Sequence, residues 1–196
     1  MRELFLKMSM SVDGFVSDLE GRNTWMFGSD QAAKAWSVET VSNASLHIMG
    51  HRTFAEMAAY WPTSTDQFAP PMNRIPKAVF ARSGTANGPA PVAAPETLST
   101  DAKSWSEAYV ASGDLTKEIS ALKAVDGRPI IAHGGVRFAR SLVASGLVDQ
   151  LILMVVPVAL GDGLPLFSSL PAPAPLKLLS SNAFPGGAVA QTYRFA

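Results

Sequence analysis

A strand–glycine–helix stretch in the second half of the chain constrains the fold most. The short apolar run Ile130–Ala132 predicts a buried strand, and Gly134 and Gly135 follow almost at once. Over residues 136–145 apolar side chains recur at the spacing of a helix. Such a junction presents glycine backbone and unpaired helix N–H groups, which suit a phosphate. It can equally be a tight turn without a ligand, and the stretch alone leaves both interpretations open.

Strands and helices are predicted to alternate along most of the chain. Apolar runs predict strands at residues 4–10, 44–49, 77–81, 130–132 and 147–160, and a closing antiparallel pair at 176–180 and 188–195. Helical spacing predicts helices up to residue 42, at 51–60, up to residue 124 and at 136–145, with Asp30 and Asp114 as N-caps. We predict a polar loop at 63–74, a short strand within 104–111 and a surface loop at 86–95. This order predicts an α/β fold with a mostly parallel sheet and an antiparallel C-terminal edge.

Composition narrows the classes of function. The chain has 196 residues, 47% of them hydrophobic, which predicts a single domain over residues 1–196. Lys+Arg and Asp+Glu are both 16, so no overall basic charge favours nucleic acid. Cysteine is absent, and the N-terminus has charged residues where a signal peptide would be apolar. The longest apolar run is too short for a membrane span. We therefore expect a cytoplasmic protein without nucleic-acid or membrane partners.

A second strand–glycine–helix junction makes a dinucleotide a reasonable ligand. Gly50, His51, Arg52 and Thr53 follow the strand predicted at 44–49, and they add a cation and a hydroxyl group to the glycine. Arg82 and Ser83 follow a third predicted strand. The carboxyl ends of parallel strands are where α/β sheets bind ligands, so these groups are expected on one edge. The G-x-G-x-x-G fingerprint and the P-loop are both missing, which argues against a standard Rossmann domain or a P-loop enzyme.

Other chemistries have less support in the sequence. The three histidines, His47, His51 and His133, lack the spacing of a metal site, so no metal is predicted. No G-x-S-x-G elbow predicts a serine hydrolase. The carboxylates that could lie beside a pocket are Asp13, Asp18, Glu20 and Asp30. Each of them is also suited to a turn or a helix cap.

Several motifs resemble the dihydrofolate reductase-like superfamily, and most closely the C-terminal reductase domain of the bifunctional riboflavin-biosynthesis deaminase/reductase and its stand-alone relatives. The resemblance extends nearly from end to end. The matching stretches are residues 10–16, 48–54, 60–62, 133–135, 146–151 and 157–167. It implies a three-layer α/β/α fold around a mostly parallel sheet of about eight strands, with NADPH bound across the strand ends.

The resemblance also implies roles for individual residues. Cofactor contacts are expected at Ser9, Gly50, His51, Arg52, Thr53, Arg82, Ser83, Gly134, Gly135, Val136 and Arg137. Relatives have a cis bond between the two glycines of the turn. Substrate contacts are expected at Asp13, Val16, Phe54 and Trp61, with Asp13 or water as the proton source.

The implied activity is NADPH-dependent hydride transfer to a small heterocycle with a C=N or C=C bond of the pyrimidine or pterin type. His51 stands where many relatives have arginine, and no clear match exists for the acid of true dihydrofolate reductases. Two alternatives therefore remain, a nucleotide-binding protein of the same fold with little turnover and a flavin-binding relative. A homodimer is also expected, with residues 147–160 and 164–175 in its interface.

Overall fold

The computed structural model describes residues 1–26, 30–81, 102–168 and 170–196. The strands are β1 (Leu4–Ser11), β2 (Leu46–Gly50), β3 (Lys77–Phe80), β4 (Tyr109–Ala111), β5 (Ile130–Ala132), β6 (Gln150–Val156), β7 (Leu176–Ala183) and β8 (Val189–Phe195). The helices are α1 (Gln31–Ser42), α2 (His51–Tyr60), α3 (Ala69–Arg74), α4 (Lys103–Ser106), α5 (Leu115–Ala124) and α6 (Val136–Ala144). Short 3₁₀ turns lie at Thr24–Met26 and Trp61–Thr63.

The eight strands form one sheet in the order β4-β3-β2-β5-β1-β6-β8-β7. Pairing is parallel from β4 to β6, and β8 and β7 add an antiparallel edge. This confirms the predicted sheet and fold class. The central strand β5 is buried on both faces, so it appears in the sequence as an apolar run without alternation.

Each face of the sheet packs against its own layer of helices. On one face Leu6 and Ile48 pack with Ile119 of α5 and Leu142 of α6. On the other face Met49 packs with residues of α2, α3 and α4, and Met154 packs with Ala33 of α1. The three-layer arrangement leaves the carboxyl ends of β1, β2 and β5 together at one edge, and the candidate site lies there.

Two predicted caps are confirmed, and the loop predicted at 63–74 is wrong. Asp30 accepts a hydrogen bond from the Ala33 N–H at 3.0 Å, and Asp114 caps α5 in the same way. The predicted loop at 63–74 contains α3, whose prolines occupy its first turn, where a missing N–H costs nothing. The short strand predicted within 104–111 is confirmed as β4, and α4 precedes it. The loop predicted at 86–95 lies outside the described residues.

A buried lysine helps to hold α3 and α4 against the sheet. Lys77 on β3 donates to the Ile75 carbonyl at 2.5 Å and to the Ser104 hydroxyl at 2.7 Å, and its ammonium lies 4.4 Å from the Trp105 ring centroid. Burial lowers the pKa of Lys77 to about 7. Asn73 accepts from the Trp105 indole N–H at 2.8 Å. This network explains why a charged residue is tolerated in β3.

Candidate functional site

The two strand–glycine–helix junctions lie side by side. Strands β2 and β5 are parallel neighbours, with His47 opposite Ile131, so the turns that follow them leave the sheet together. A Cβ atom placed on Gly135 would lie 2.7 Å from the Thr53 hydroxyl, and one placed on Gly50 would lie 3.2 Å from Phe138. The two junctions lie so close together that a side chain at Gly135 would collide with Thr53, and one at Gly50 would press against Phe138.

Neither of the two adjacent helices is capped by the side chain of its N-cap residue. The N-cap residues are Gly50 for α2 and Gly135 for α6, whereas α1 and α5 are capped by Asp30 and Asp114. The first N–H groups of α2 and α6 therefore lack the internal acceptor that the aspartates provide elsewhere. Two neighbouring helix starts of this kind concentrate partial positive charge, which suits a ligand with two phosphates.

The glycine turn requires glycine at both positions. Gly134 and Gly135 have φ values of 83° and 70°, in the left-handed region that disfavours side chains. A Cβ on Gly134 would also lie 2.6 Å from the Met8 sulfur. All peptide bonds in the described residues are trans. The cis Gly–Gly bond of the relatives is therefore absent from this turn, and the positive φ values produce its bend instead.

The remaining cofactor candidates differ in accessibility. His51, Arg52 and Arg137 are exposed, and Arg52 pairs with Glu56 at 3.0 Å while 79% of its side chain stays accessible. Such an exposed pair is weak, so the guanidinium is available to an anion. Val136, like Ser9 on β1, is half-buried. Arg82 and Ser83 lie outside the described residues.

Asp13 has a structural role. Its carboxylate accepts hydrogen bonds from the Ser11 hydroxyl at 2.5 Å, the Gly161 N–H at 2.7 Å and the Leu160 N–H at 2.9 Å. These bonds, that from Ser11 first, hold the pKa of the Asp13 carboxyl below its ordinary value. A proton donor must hold its proton near neutral pH, so the expectation that Asp13 supplies one conflicts with this environment.

Asp13 also joins the two longest motifs of the sequence. The Val16 N–H donates to the Leu164 carbonyl at 3.0 Å, and the Leu164 N–H donates to the Ser17 carbonyl at 2.9 Å. Phe15 forms a β-bridge with Pro165. Residues 10–16 and 157–167 therefore pack as one unit beside the carboxyl end of β1.

Two predicted substrate contacts belong to the hydrophobic core. Val16 is 3% exposed and packs with the core of the sheet, and Phe54 is 2% exposed with its ring 5.6 Å from that of Trp105. Neither side chain is available to a ligand, so these two predictions are wrong. Trp61 is half-buried, and its indole N–H is buried without a partner among the described residues. Trp61 thus keeps an unused donor.

Three polar residues of the central strands were missed by the sequence analysis. Lys7 on β1 and His133 after β5 are half-buried, and His47 on β2 is fully buried. The ring centroids of the two histidines are 4.4 Å apart. The only signal in the sequence is a lysine in the middle of the first apolar strand, where a charge is costly unless it has a use.

Two kinds of feature are absent from the described residues. None of the helices there is long and apolar enough to cross a membrane. In the same parts of the chain, no group of three or more His, Asp or Glu side chains is arranged to hold a metal ion.

Comparison with known proteins agrees with this architecture. The uncharacterized protein YyaP of Bacillus subtilis (strain 168) is 22% identical over 199 residues, which cover 99% of this chain and 95% of that protein. A solved pyrimidine reductase-like protein from Corynebacterium diphtheriae superposes with a TM-score of 0.69 at 17% identity, covering 100% of this chain and 92% of that one.

A larger protein contains the same fold. The diaminohydroxyphosphoribosylaminopyrimidine deaminase/5-amino-6-(5-phosphoribosylamino)uracil reductase of Thermotoga maritima matches all of this chain over 57% of its own length, with a TM-score of 0.69 and 15% identity. These structural similarities show the fold. The sequence of residues 2–190 matches the family described as the RibD C-terminal domain. Since this match covers nearly the whole chain, the protein belongs to the RibD C-terminal domain family.

Proposed function

We propose that this chain is a cytoplasmic NADPH-dependent reductase that transfers a hydride to a small heterocycle of the pyrimidine or pterin type. The observation that carries the proposal is the contact between two glycine-capped helix starts, α2 and α6, at the carboxyl ends of neighbouring parallel strands. Family membership and the reductases among the structural neighbours support the same reaction class.

The residues present fit a dinucleotide phosphate. The N–H groups at the start of α6 would bind the pyrophosphate, and those of α2, with the Thr53 hydroxyl, would bind the adjoining phosphate group. Arg52, exposed at the start of α2, would pair with the 2′-phosphate that distinguishes NADPH from NADH. The cofactor, when bound, supplies the hydride.

Residues of β1 would orient the reacting groups. Ser9, half-buried near the end of β1, would hydrogen-bond the nicotinamide carboxamide of the cofactor. Lys7, two residues earlier and half-buried without a partner among the described residues, is a donor on the same strand. Because Asp13 is bound as a carboxylate, Lys7 or water would supply the proton. Orientation and exclusion of water account for most of the catalysis in such a site.

Titration with NADPH, and separately with NADH, tests this proposal through the fluorescence of Trp25, Trp36, Trp61 and Trp105. Tighter binding of NADPH is expected, and Arg52→Gln should weaken it about 10-fold or more while changing NADH binding little, as a charge-assisted hydrogen bond implies. Arg74→Gln, an exposed arginine at the end of α3, is the matched control.

Turnover is tested separately by loss of NADPH absorbance with pterins, flavins and aminopyrimidines. Saturable binding without oxidation would favour the alternative of a nucleotide-binding protein with little turnover. A yellow preparation would favour a flavin-binding relative. Absence of binding to either nicotinamide cofactor would refute the reductase proposal.

We also propose a homodimer. Strand β6, expected in the interface, lies inside the sheet between β1 and β8, with Leu151 and Leu153 buried. The edge strand β7 is the better candidate, because Leu178 and Leu179 are 51% and 43% exposed. Sedimentation showing a monomer at micromolar concentration would refute the dimer, and Leu178→Lys is expected to dissociate it.

A further inference from the structure

Arg140 joins helix α6 to a distant part of the chain. It donates to the Pro165 carbonyl through Nε at 2.9 Å and through Nη2 at 2.5 Å. Pro165 lies in residues 157–167, which we call the Pro165 segment. Among the hydrogen bonds of the described residues, this pair alone connects α6 with that segment. Val136, the first residue of α6, lies one turn before Arg140 on the same face, so the contact is made close to the helix start.

The Pro165 segment also holds the turn that follows β1, the strand proposed to orient the reacting groups. The Asp13 carboxylate of that turn accepts from the Gly161 N–H at 2.7 Å. Phe15 of the same turn forms a β-bridge with Pro165. Pro165 is therefore in contact with the turn after β1 and, through its carbonyl, with α6. The segment connects the two elements that the proposed function assigns to the cofactor and to the reacting groups.

The contact needs an arginine. No backbone N–H of the described residues donates to the Pro165 carbonyl, so Arg140 supplies its donors. Arg140 is half-buried, and no carboxylate in the same parts of the chain pairs with it. Its positive charge strengthens both hydrogen bonds. Lysine would keep the charge but lacks the planar fork that places two N–H groups on one oxygen.

We propose that Arg140 is a positioning residue, which holds the Pro165 segment and the turn after β1 against the helix start that binds the cofactor. This inference rests on the proposed function, and it gives Arg140 no contact with cofactor or substrate. A cofactor bound at the start of α6 favours the arrangement in which the segment is attached. By linkage, the arrangement with a detached segment binds the cofactor less tightly. The attachment matters because a misplacement of about 1 Å can cost about 100-fold in rate.

Hydrogen exchange followed by NMR, with and without saturating NADP⁺, tests the proposal. The amides of Leu160 and Gly161, which donate to Asp13, report on attachment of the Pro165 segment. In wild type, NADP⁺ should slow their exchange at least about 5-fold, the low end of usual coupling. In Arg140→Met their exchange without ligand should be about 10-fold faster, as loss of a charge-assisted hydrogen bond implies, and NADP⁺ should no longer slow it. Amides of the buried strand β5 should be unaffected by the substitution.

Two further variants make the test specific to the contact. Arg140→Lys keeps the charge and one donor, so it should recover part of the slowing by NADP⁺. It also provides the comparison if Arg140→Met does not fold. Arg74→Met, which changes an exposed arginine at the end of α3, should behave as wild type.

The possible results separate this inference from the proposed function. Unchanged exchange in Arg140→Met, or a slowing by NADP⁺ that survives in it, would overturn the role of Arg140. Equal acceleration in β5 and in the Pro165 segment would also overturn it, because Arg140 would then only stabilise the fold. If NADP⁺ does not bind wild type, the proposed function fails, and the comparison without ligand still decides whether Arg140 holds the segment.

Discussion

Replacing Lys7 with methionine should stabilise the protein. Lys7 is half-buried on β1 without a partner among the described residues, and burial lowers its pKa from 10.5 to about 8. Methionine has a similar length and flexibility but no charge. A charge kept in an unfavourable place usually marks a function that is maintained at the expense of stability.

The pKa shift of Lys7 sets the expected gain in the free energy of unfolding. A lowered pKa means that the folded state binds this proton less readily than the unfolded chain does. The free-energy cost of burying the charged Lys7 is complete below its pKa in the folded protein, which is about 8. It disappears as the pH rises through 10.5, the pKa of an ordinary lysine. At 1.36 kcal/mol for each pKa unit, the upper limit is about 3 kcal/mol at neutral pH. Partial exposure of Lys7 reduces it, so we expect a gain of about 1–3 kcal/mol.

Urea unfolding of wild type, Lys7→Met and Lys117→Met measures this gain. Near pH 7, Lys7→Met should be more stable than wild type, and near pH 10 the difference should fall to about 1 kcal/mol or less. Lys117→Met, which changes an exposed lysine on α5, should match wild type at both pH values. Lys77 also has a lowered pKa, but it is present in all three proteins and cancels in the comparison. A Lys7→Met protein without a gain, or with a gain independent of pH, would refute the reasoning.

Three further substitutions test other parts of the structure. Gly134→Ala should lose about 1–3 kcal/mol of stability and bind NADPH more weakly, because its Cβ would meet the Met8 sulfur at a φ of 83°; unchanged urea midpoints would contradict this. Asn73→Ala should lose about 2–4 kcal/mol in the same assay, because it leaves the buried Trp105 N–H without its acceptor. Asp13→Asn should lower the thermal midpoint but keep the acid limb of the pH–rate profile, and loss of that limb would restore Asp13 as the proton donor. Since the pKa of Asp13 is lowered, its stabilising effect is present above pH 3.8 and is lost as the pH falls below that value.

Most of the fold could be predicted from the sequence, because its local signals agree with the final packing. Neighbouring residues alone determine the helix caps at Asp30 and Asp114. The same is true of strands β1 and β5, which are apolar runs in the sequence. Helix α3 was missed because the prolines of its first turn are also typical of loops. Strand β6 was predicted too long, since the apolar residues that flank it pack in loops and continue the hydrophobic run.

The site was predictable only where backbone geometry determines it. Glycine is required at Gly134 and Gly135 by their positive φ values and by the close approach of the Met8 and Thr53 side chains, and at Gly50 by its close contact with Phe138. Side-chain roles depend on which strands become neighbours, and periodicity does not contain that order. Lys7 and His133 are far apart in sequence and meet only because β1 and β5 pair. Asp13 shows the same limit, because a carboxylate beside a glycine turn can either donate a proton or accept hydrogen bonds that hold a loop. The N–H groups of Leu160 and Gly161, which are distant in sequence, donate to Asp13 and favour the second role.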